Sequence, residues 1–499
     1  MPEQAPLTDE QVLQSFGYRQ ELRRALRLFS LYAVAFSIIS ITTGIFTNFG
    51  FGLAHLGPAS IWPWILAGVG QLLVALVISE LGTRMPLAGY SYQWGSRLVN
   101  SVYGWFVGFT ALCYLSVGGA GITFVVVAPL WATILGLDPT NQTSNLIITL
   151  VLFALPLSIN IISVALAARI NNVAVFTEIV GTVVVALILI VLFATRPTHP
   201  VSFLFDTGGV TGSDILAQLP YAALMGIFTI VGFELAADLS EEAVNARVTV
   251  PKAVIWSVVS SAALGMVALI GFALAIPDLK KIAASPVPVA DIFSYWLGSG
   301  LTKVFLLFVV FSIFSLSVVG TAATGRLIFS LARDNMLPMS SLLRRVDPRT
   351  RTPIPALLAA TTLSLIFAVY GYLNDVYFGG NAFTVLITAT ATLPFLVYLG
   401  TVLAYVWKRN QLMSLPGAFS LGGWAKPVMI AALGWVLVVL ALLTIPKDYW
   451  GADVVCVILE LVALAWWLFV LRGRLQRGEA GVSQVAAPAM GTTPATAGE

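Results

Sequence analysis

The sequence predicts an all-α polytopic membrane protein with twelve spanning helices. Three observations carry that prediction. Only 10% of the 499 residues are charged and the mean hydropathy is +0.93, whereas soluble domains carry about 25% charged residues. Apolar runs of about 20 residues, the length that crosses a bilayer as a helix, recur along the chain. The basic residues fall mainly on one side of those runs. A water-soluble fold of this size could not cover its surface with so few charges, and a net charge of +3 is too small to point to nucleic acid.

The apolar runs lie at 28–53, 60–81, 103–134, 144–166, 170–195, 217–239, 250–276, 301–332, 354–373, 381–407, 427–445 and 450–472. They make one membrane domain, 28–472, with five spans over 28–195, five over 217–407 and two over 427–472. The connections at 196–216, 277–300 and 333–353 read as loops or short surface helices. Residues 1–27 hold acidic residues and no short apolar core before an A-x-A site, so they do not read as a signal peptide. Their second half is expected as a short amphipathic helix on the inner surface. Residues 473–499 are rich in Ala, Gly, Pro and Thr and are expected to be a disordered tail.

With the N-terminus inside, 21 of the 26 Lys and Arg face the cytoplasm, and Arg196, Lys280, Lys281, Lys303 and Lys447 are left outside. A wrong number of spans would scramble this asymmetry. The expected location is therefore the cell membrane, with both termini cytoplasmic.

Two spans carry interruptions. SIISITTGIFTNFG, 37–50, puts Thr42, Thr43 and Gly44 near the middle of the first span. The sixth span, YAALMGIFTIVGFELAADLSEE, is interrupted by Gly226 and Gly232 and holds Glu234. In hydrocarbon a broken helix is tolerated where it lines a cavity whose occupant takes the freed backbone bonds. Transporters place two such breaks in matching positions of two inverted repeats. Small and hydroxyl residues also gather where membrane helices pack. The matched pair together with a buried carboxylate favours the cavity.

Four motifs then resemble the amino acid–polyamine–organocation superfamily of permeases. TTGIF (42–46) is similar to the first-helix signature. SELGTRMPLAGYSYQW (79–94) resembles the stretch after the second helix. GFELAADLSEEAVNARVTVPKAV (232–254) resembles the run from the sixth helix into the seventh, with Ala246 where the family usually has Pro. RLIFSLARDNMLP (326–338) is a weaker match. GFGLAHLGP and Tyr92-Gln93-Trp94 are most similar to the branch handling amino acids, 4-aminobutyrate and choline. The resemblance implies a LeuT-like fold: a five-plus-five inverted repeat, two added C-terminal helices, and first and sixth helices that are discontinuous. It implies that Thr43, Gly44 and Ile45, beside Thr42, offer N–H groups to a substrate carboxylate. It places Phe228, four residues before Gly232, as an aromatic cover. It implies that Thr229, Ile230 and Val231 supply carbonyls to a substrate ammonium.

Ionisable groups inside a membrane are costly and mark functional candidates. Glu178, a third of the way into the fifth span, could carry a coupling proton, because burial disfavours its charged form. It could instead ligate Na⁺ with first-helix carbonyls and the hydroxyls of Ser312 and Ser315, contact the substrate amine, or simply bond a neighbouring helix. Glu234 has the same choices, together with a structural role at the break. Glu80 and Arg84, with Glu241 and Glu242, either form a cytoplasmic gate of ion pairs or are solvated loop charges. Glu460 lies outside the ten-helix core, at a possible oligomer contact. Cys113 and Cys456 read as inert packing residues, and His55 and His199 as surface residues without metal-like partners.

The function that follows is a secondary transporter importing a small amino acid or amine such as 4-aminobutyrate, coupled to H⁺, with Na⁺ coupling, exchange, or choline or polyamine transport as alternatives. No cofactor, metal or nucleic-acid partner is expected, and the oligomeric state is open. There is no G-x-x-x-x-G-K-[ST] to power an ATPase. No clustered Asp or His supports a membrane enzyme, and no repeated filter loop supports a channel.

Overall fold

The structure is a computed structural model and describes residues 8–285, 287–412 and 418–482. Among these residues there is no β-strand; the nearest thing is an isolated parallel bridge between Leu26 and Ala243. We number the principal helices in chain order. A short helix, α1 (Asp9–Ser15), precedes the first pair, α2 (Leu28–Ile39) and α3 (Ile41–Leu56). Then come α4 (Pro63–Arg84), α5 (Tyr90–Leu98), α6 (Ser101–Leu135), α7 (Gln142–Ile162) and α8 (Val164–Thr195). The second half contains α9 (Asp214–Thr229), α10 (Leu235–Asp238), α11 (Ala246–Leu274), α12 (Pro288–Arg333), α13 (Ile354–Tyr377) and α14 (Thr384–Gln411). The last two are α15 (Gly422–Thr444) and α16 (Lys447–Gln476).

Among the described residues, eleven helical segments are long and apolar enough to cross a membrane, α2 and α3 together forming one of them. They occupy eleven of the twelve apolar runs. The remaining run, 217–239, is the interrupted one. Its apolar helix α9 has 16 residues, about 24 Å at 1.5 Å per residue, and stops before the run ends.

Element boundaries follow local chemistry. Ser163 separates α7 from α8 in extended backbone, and its hydroxyl caps the N–H of Leu166 at 3.3 Å. The gap therefore falls at Ser163 and not at 167–169. α12 starts at Pro288, inside the expected 277–300 connection, and is broken at Gly298 by a φ of 77°.

The expected surface helix in the second half of residues 1–27 is not there. Helix α1 sits earlier, capped at both backbone and side chain by the Thr8–Gln11 pair. After a turn at Phe16–Gly17, residues 18–26 run as non-helical chain, with Leu22 and Leu26 buried. Ala25 N and Leu26 N both donate to the Glu242 carbonyl at 2.9 Å, and Val244 N donates to the Leu26 carbonyl at 2.8 Å. A helix would have used those backbone groups internally. At the same end, residues placed in the tail by the sequence continue α16 to Gln476, and Gly481 N donates to the Asp334 carbonyl at 2.9 Å. The rest of the expected tail, 483–499, lies outside the described residues. We call this the basal end.

Burial separates an inner from an outer set of helices. The most apolar stretches of α6 and α14 are 83% and 78% buried, whereas those of α15 and α16 are 22% and 17% buried. α8 is equally little buried, at 22%, so α8, α15 and α16 lie at the periphery, the last presenting apolar side chains such as Val457, Leu461 and Phe469 outward.

Candidate functional site

The first span breaks at one residue. Ser40 takes φ 36° and ψ 87°, a left-handed conformation costly for a residue with a side chain. Its amide still closes α2 on the Phe36 carbonyl at 2.8 Å, and its carbonyl accepts the Gly44 N–H at 3.0 Å. Its hydroxyl accepts from Thr43 N at 3.3 Å and pairs with the Thr43 hydroxyl at 2.7 Å. The sequence expectation set the break at Thr42–Gly44. Those residues instead form the first turn of α3, because a Ser side chain can cap a helix start and Gly-Ile-Phe can continue it.

Gly44 does not offer a free N–H. What it provides is close packing: a Cβ there would lie 1.8 Å from the Thr229 hydroxyl oxygen. Thr229 therefore sits in the α3–α9 contact, its own hydroxyl donating to the Met225 carbonyl. For this pair the packing reading of small residues holds.

The second break runs from Ile230 to Glu234. Gly232 has φ 89°, and a Cβ there would lie 2.0 Å from Ile38 Cγ2. Its N–H is held by the Tyr398 hydroxyl at 3.2 Å. That same hydroxyl donates to Glu234 Oε2 at 2.7 Å, while Glu234 Oε1 is buried without a hydrogen-bond partner. Among the described hydrogen bonds, no donor reaches the carbonyls of Ile230 and Val231, nor those of Ser37, Ile38 and Ile39 at the first break. Of these residues, Ile38 and Ile39 of the first break and Val231 of the second line one cavity.

A cavity of about 60 Å³ lies between the breaks and helices α6, α12, α13 and α14. Of the residues the sequence singled out for substrate binding, Thr43, Phe228 and Val231 line it; Thr42, Gly44, Ile45, Thr229, Ile230 and Gly232 do not. Thr42 and Ile45 face a second void beside Glu178. The remaining polar lining was not anticipated: Tyr114 and Thr123 of α6, Ser317, Thr321 and Thr324 of α12, Thr361 and Ser364 of α13, and Thr390 of α14. No charged side chain lines the cavity. Thr321, Thr324 and Thr390 donate their hydroxyl protons to carbonyls four residues back. Their oxygen lone pairs are left for an occupant, so the wall is rich in acceptors. The spacing in SLSVVGTAATG (315–325), with hydroxyls at 317, 321 and 324, was the signal that could have identified this wall.

Glu178 lies outside this cavity, buried against the first break. Its Oε1 accepts from Thr42 N at 3.0 Å and from the Ser40 hydroxyl at 3.2 Å; its Oε2 accepts from Ser312 at 2.7 Å. Ser315, expected beside it, donates to Asn171 instead, at 2.8 Å. Among the described residues no group of three or more His, Cys, Asp or Glu could hold a metal ion.

The four expected gate residues form two separate clusters, not one. Glu80 pairs with Arg84 at 2.8 Å and Arg409 at 3.3 Å and accepts from the Tyr405 hydroxyl. Glu242 pairs with Arg326 at 2.6 Å and Glu241 with Arg333 at 3.0 Å. These partners lie 84 and 92 residues away, a separation at which sequence spacing carries no pairing information. Asp334 completes the basal end, accepting from the hydroxyls of Tyr18 at 2.9 Å and Tyr92 at 2.8 Å.

The amino acid permease family model matches residues 26–455 of this chain. The chain belongs to the amino acid permease family. It is a membrane transport protein and not an enzyme. The permease is 26% identical over 512 residues to the amino-acid permease BAT1 of Arabidopsis thaliana, covering 92% of this chain and 94% of that one. It is 26% identical over 480 residues to the GABA-specific permease of Saccharomyces cerevisiae, covering 89% and 80%. It is 24% identical over 487 residues to the thiamine transporter thi9 of Schizosaccharomyces pombe, covering 88% and 81%. These relatives are named for different solutes, so the choice among solutes rests on the walls of this permease's own cavity.

Proposed function

We propose that this permease is a secondary active transporter that imports a small amino acid or amino-acid-like amine, such as 4-aminobutyrate, by alternating access, with H⁺ as the coupling ion. The observation that carries this reading is the uncharged, hydroxyl-lined cavity set between two helix breaks. Its 60 Å³ corresponds to on the order of four or five waters, which suits a solute of a few heavy atoms better than an extended polyamine. Carbonyls and hydroxyl oxygens suit an ammonium; at the start of α3 the N–H groups of Thr42, Thr43 and Gly44 are held by Glu178, the Ser40 hydroxyl and the Ser40 carbonyl, so what suits a carboxylate there is the positive end of the helix dipole.

In this reading the chain crosses the membrane twelve times, α2/α3 and α9/α10 being counterparts in two inverted five-helix repeats. The basal end is cytoplasmic, by the distribution of basic residues. The pairs Glu242–Arg326 and Glu241–Arg333 act as the inner gate, and the Glu80–Arg84–Arg409 cluster steadies the inner ends of α4 and α14. Glu178 carries the coupling proton. Glu234 braces the second break through Tyr398.

The test is uptake of labelled 4-aminobutyrate and neutral amino acids into liposomes carrying the purified permease. An imposed pH gradient should drive saturable uptake. Glu178→Gln should cut proton-driven uptake more than solute exchange. Unchanged pH dependence in that variant would count against the coupling role.

A further inference from the structure

The carboxylate of Glu178 already occupies the start of α3. It holds the N–H of Thr42, the second residue of that helix, and the hydroxyl of the capping Ser40. In a 16-residue helix this is the positive end of the dipole. A substrate carboxylate bound to the same helix start would come up against a second carboxylate. Thr43, which lines the cavity, is hydrogen-bonded to the same Ser40 hydroxyl as Glu178, so a single hydroxyl separates the two positions.

Few other charges could neutralise the pair. Ser312 of α12 donates to Glu178, and the next groups around it are Phe272 of α11, Phe305 and Phe308 of α12 and Thr182 of its own helix. The titratable group within electrostatic reach of it is Tyr32 of α2, whose hydroxyl pairs with Ser260 at 2.9 Å and which lacks a positive charge in any state. Among the described residues no Lys, Arg or His forms an ion pair with Glu178. Two like charges sharing one small buried site cannot both stay ionised, and one of them takes up a proton.

We propose that Glu178 is a built-in occupant of the carboxylate subsite, so that the permease takes up a proton only with substrates that bring a carboxylate of their own. An amine without a carboxylate fills the cavity and leaves Glu178 ionised on Thr42. A zwitterion places its carboxylate at the start of α3, and Glu178 becomes the neutral partner. The coupling ratio is then a property of the solute as well as of the protein. The inference rests on the transport reading above and on the cavity as the substrate site.

The experiment is calorimetric titration of the full-length permease in detergent, in two buffers of different ionisation enthalpy, which counts the protons bound with each solute. The probes are 4-aminobutyrate and n-propylamine, the same chain without the carboxylate. We expect about one proton taken up with 4-aminobutyrate and none with n-propylamine. The affinity for 4-aminobutyrate should weaken by up to about tenfold per unit rise in pH, with a flat profile for n-propylamine. Glu178→Gln should abolish both the proton uptake and the slope, and Glu178→Asp should restore them. Equal proton uptake with the two solutes, or uptake that survives in Glu178→Gln, overturns the inference while leaving transport intact. Liposome uptake that fails for every amino acid and amine overturns the transport reading itself, and the inference with it.

Discussion

The guanidinium of Arg333 lies 3.6 Å from the centre of the Tyr18 ring, so the last residue of α12 is stacked on the chain that precedes the first span. The Tyr18 hydroxyl also donates to Asp334, and Arg333 itself pairs with Glu241. One aromatic residue thus joins the N-terminal segment to the basal end of α12 and, through Arg333, to Glu241 just beyond α10. Tyr18→Phe keeps the stack and loses the hydrogen bond, and should cost about 1 kcal/mol. Tyr18→Ala should cost about 1–2 kcal/mol more, through the lost cation–π contact and buried ring. Thermal denaturation of both variants in detergent checks the order; equal midpoints would remove Tyr18 from this role.

The Glu242–Arg326 pair is 1% exposed on both sides. Removing one partner leaves a buried charge without its counterpart, at about 3–5 kcal/mol. Arg326→Met alone should therefore destabilise more than the double change Glu242→Leu with Arg326→Met. A double-mutant cycle on the denaturation midpoint reads this directly, and a double variant less stable than the single one would contradict it.

Gly44→Ala should drive its new methyl into Thr229, costing about 1–3 kcal/mol as overpacking. Thr229→Gly in the same chain, which also removes the Thr229 Cβ that would lie 2.5 Å from the new methyl, should recover part of the loss. If the paired change stays as unstable as Gly44→Ala, the close approach of α3 and α9 is not what Gly44 serves.

Asp334, just beyond α12, has its carboxyl pushed above the ordinary value of 3.8 by burial, an effect that Arg333, Tyr92 and Tyr18 partly offset. The folded protein therefore holds this proton more tightly than the unfolded chain. Its contribution to stability is full below pH 3.8 and is lost as pH rises from there through the raised value. Asp334→Asn should flatten that decline. The check is the denaturation midpoint against pH for both proteins; parallel curves would show that Asp334 does not contribute to the slope.

The helices were legible because bilayer thickness fixes their length and composition. The second break was legible because Gly232 stands in an otherwise apolar span, with φ 89° in the fold. The first falls at the leading edge of the interrupted stretch 40–46 and not at its centre. Thr-Thr-Gly reads as a weak helix, but the residue that leaves helical geometry is Ser40, which the sequence offers as one small polar residue among several. The cavity wall on α12 was present as a hydroxyl stripe, but stripes of that kind also mark plain packing. Of the basal ion pairs, Glu80–Arg84 is four residues apart on one helix and could be read from spacing, whereas Glu80–Arg409, Glu241–Arg333 and Glu242–Arg326 could not, because tertiary folding brings those partners together. Nor was the path of residues 16–26: Arg19, Arg23 and Arg24 suggest a surface, yet Leu22 and Leu26 between and beside them are buried.

The short ladder between Ala25–Leu26 and Glu242–Val244 has a mechanical consequence. Its three main-chain bonds begin two residues before α2, so α2 cannot swing without pulling on all of them together. Three such bonds in one short ladder should let go together, as a catch does, and not lengthen by degrees. Spin labels at the exposed positions 23 and 342 should then report two discrete separations during turnover, and a smooth spread of distances would argue for a yielding hinge instead.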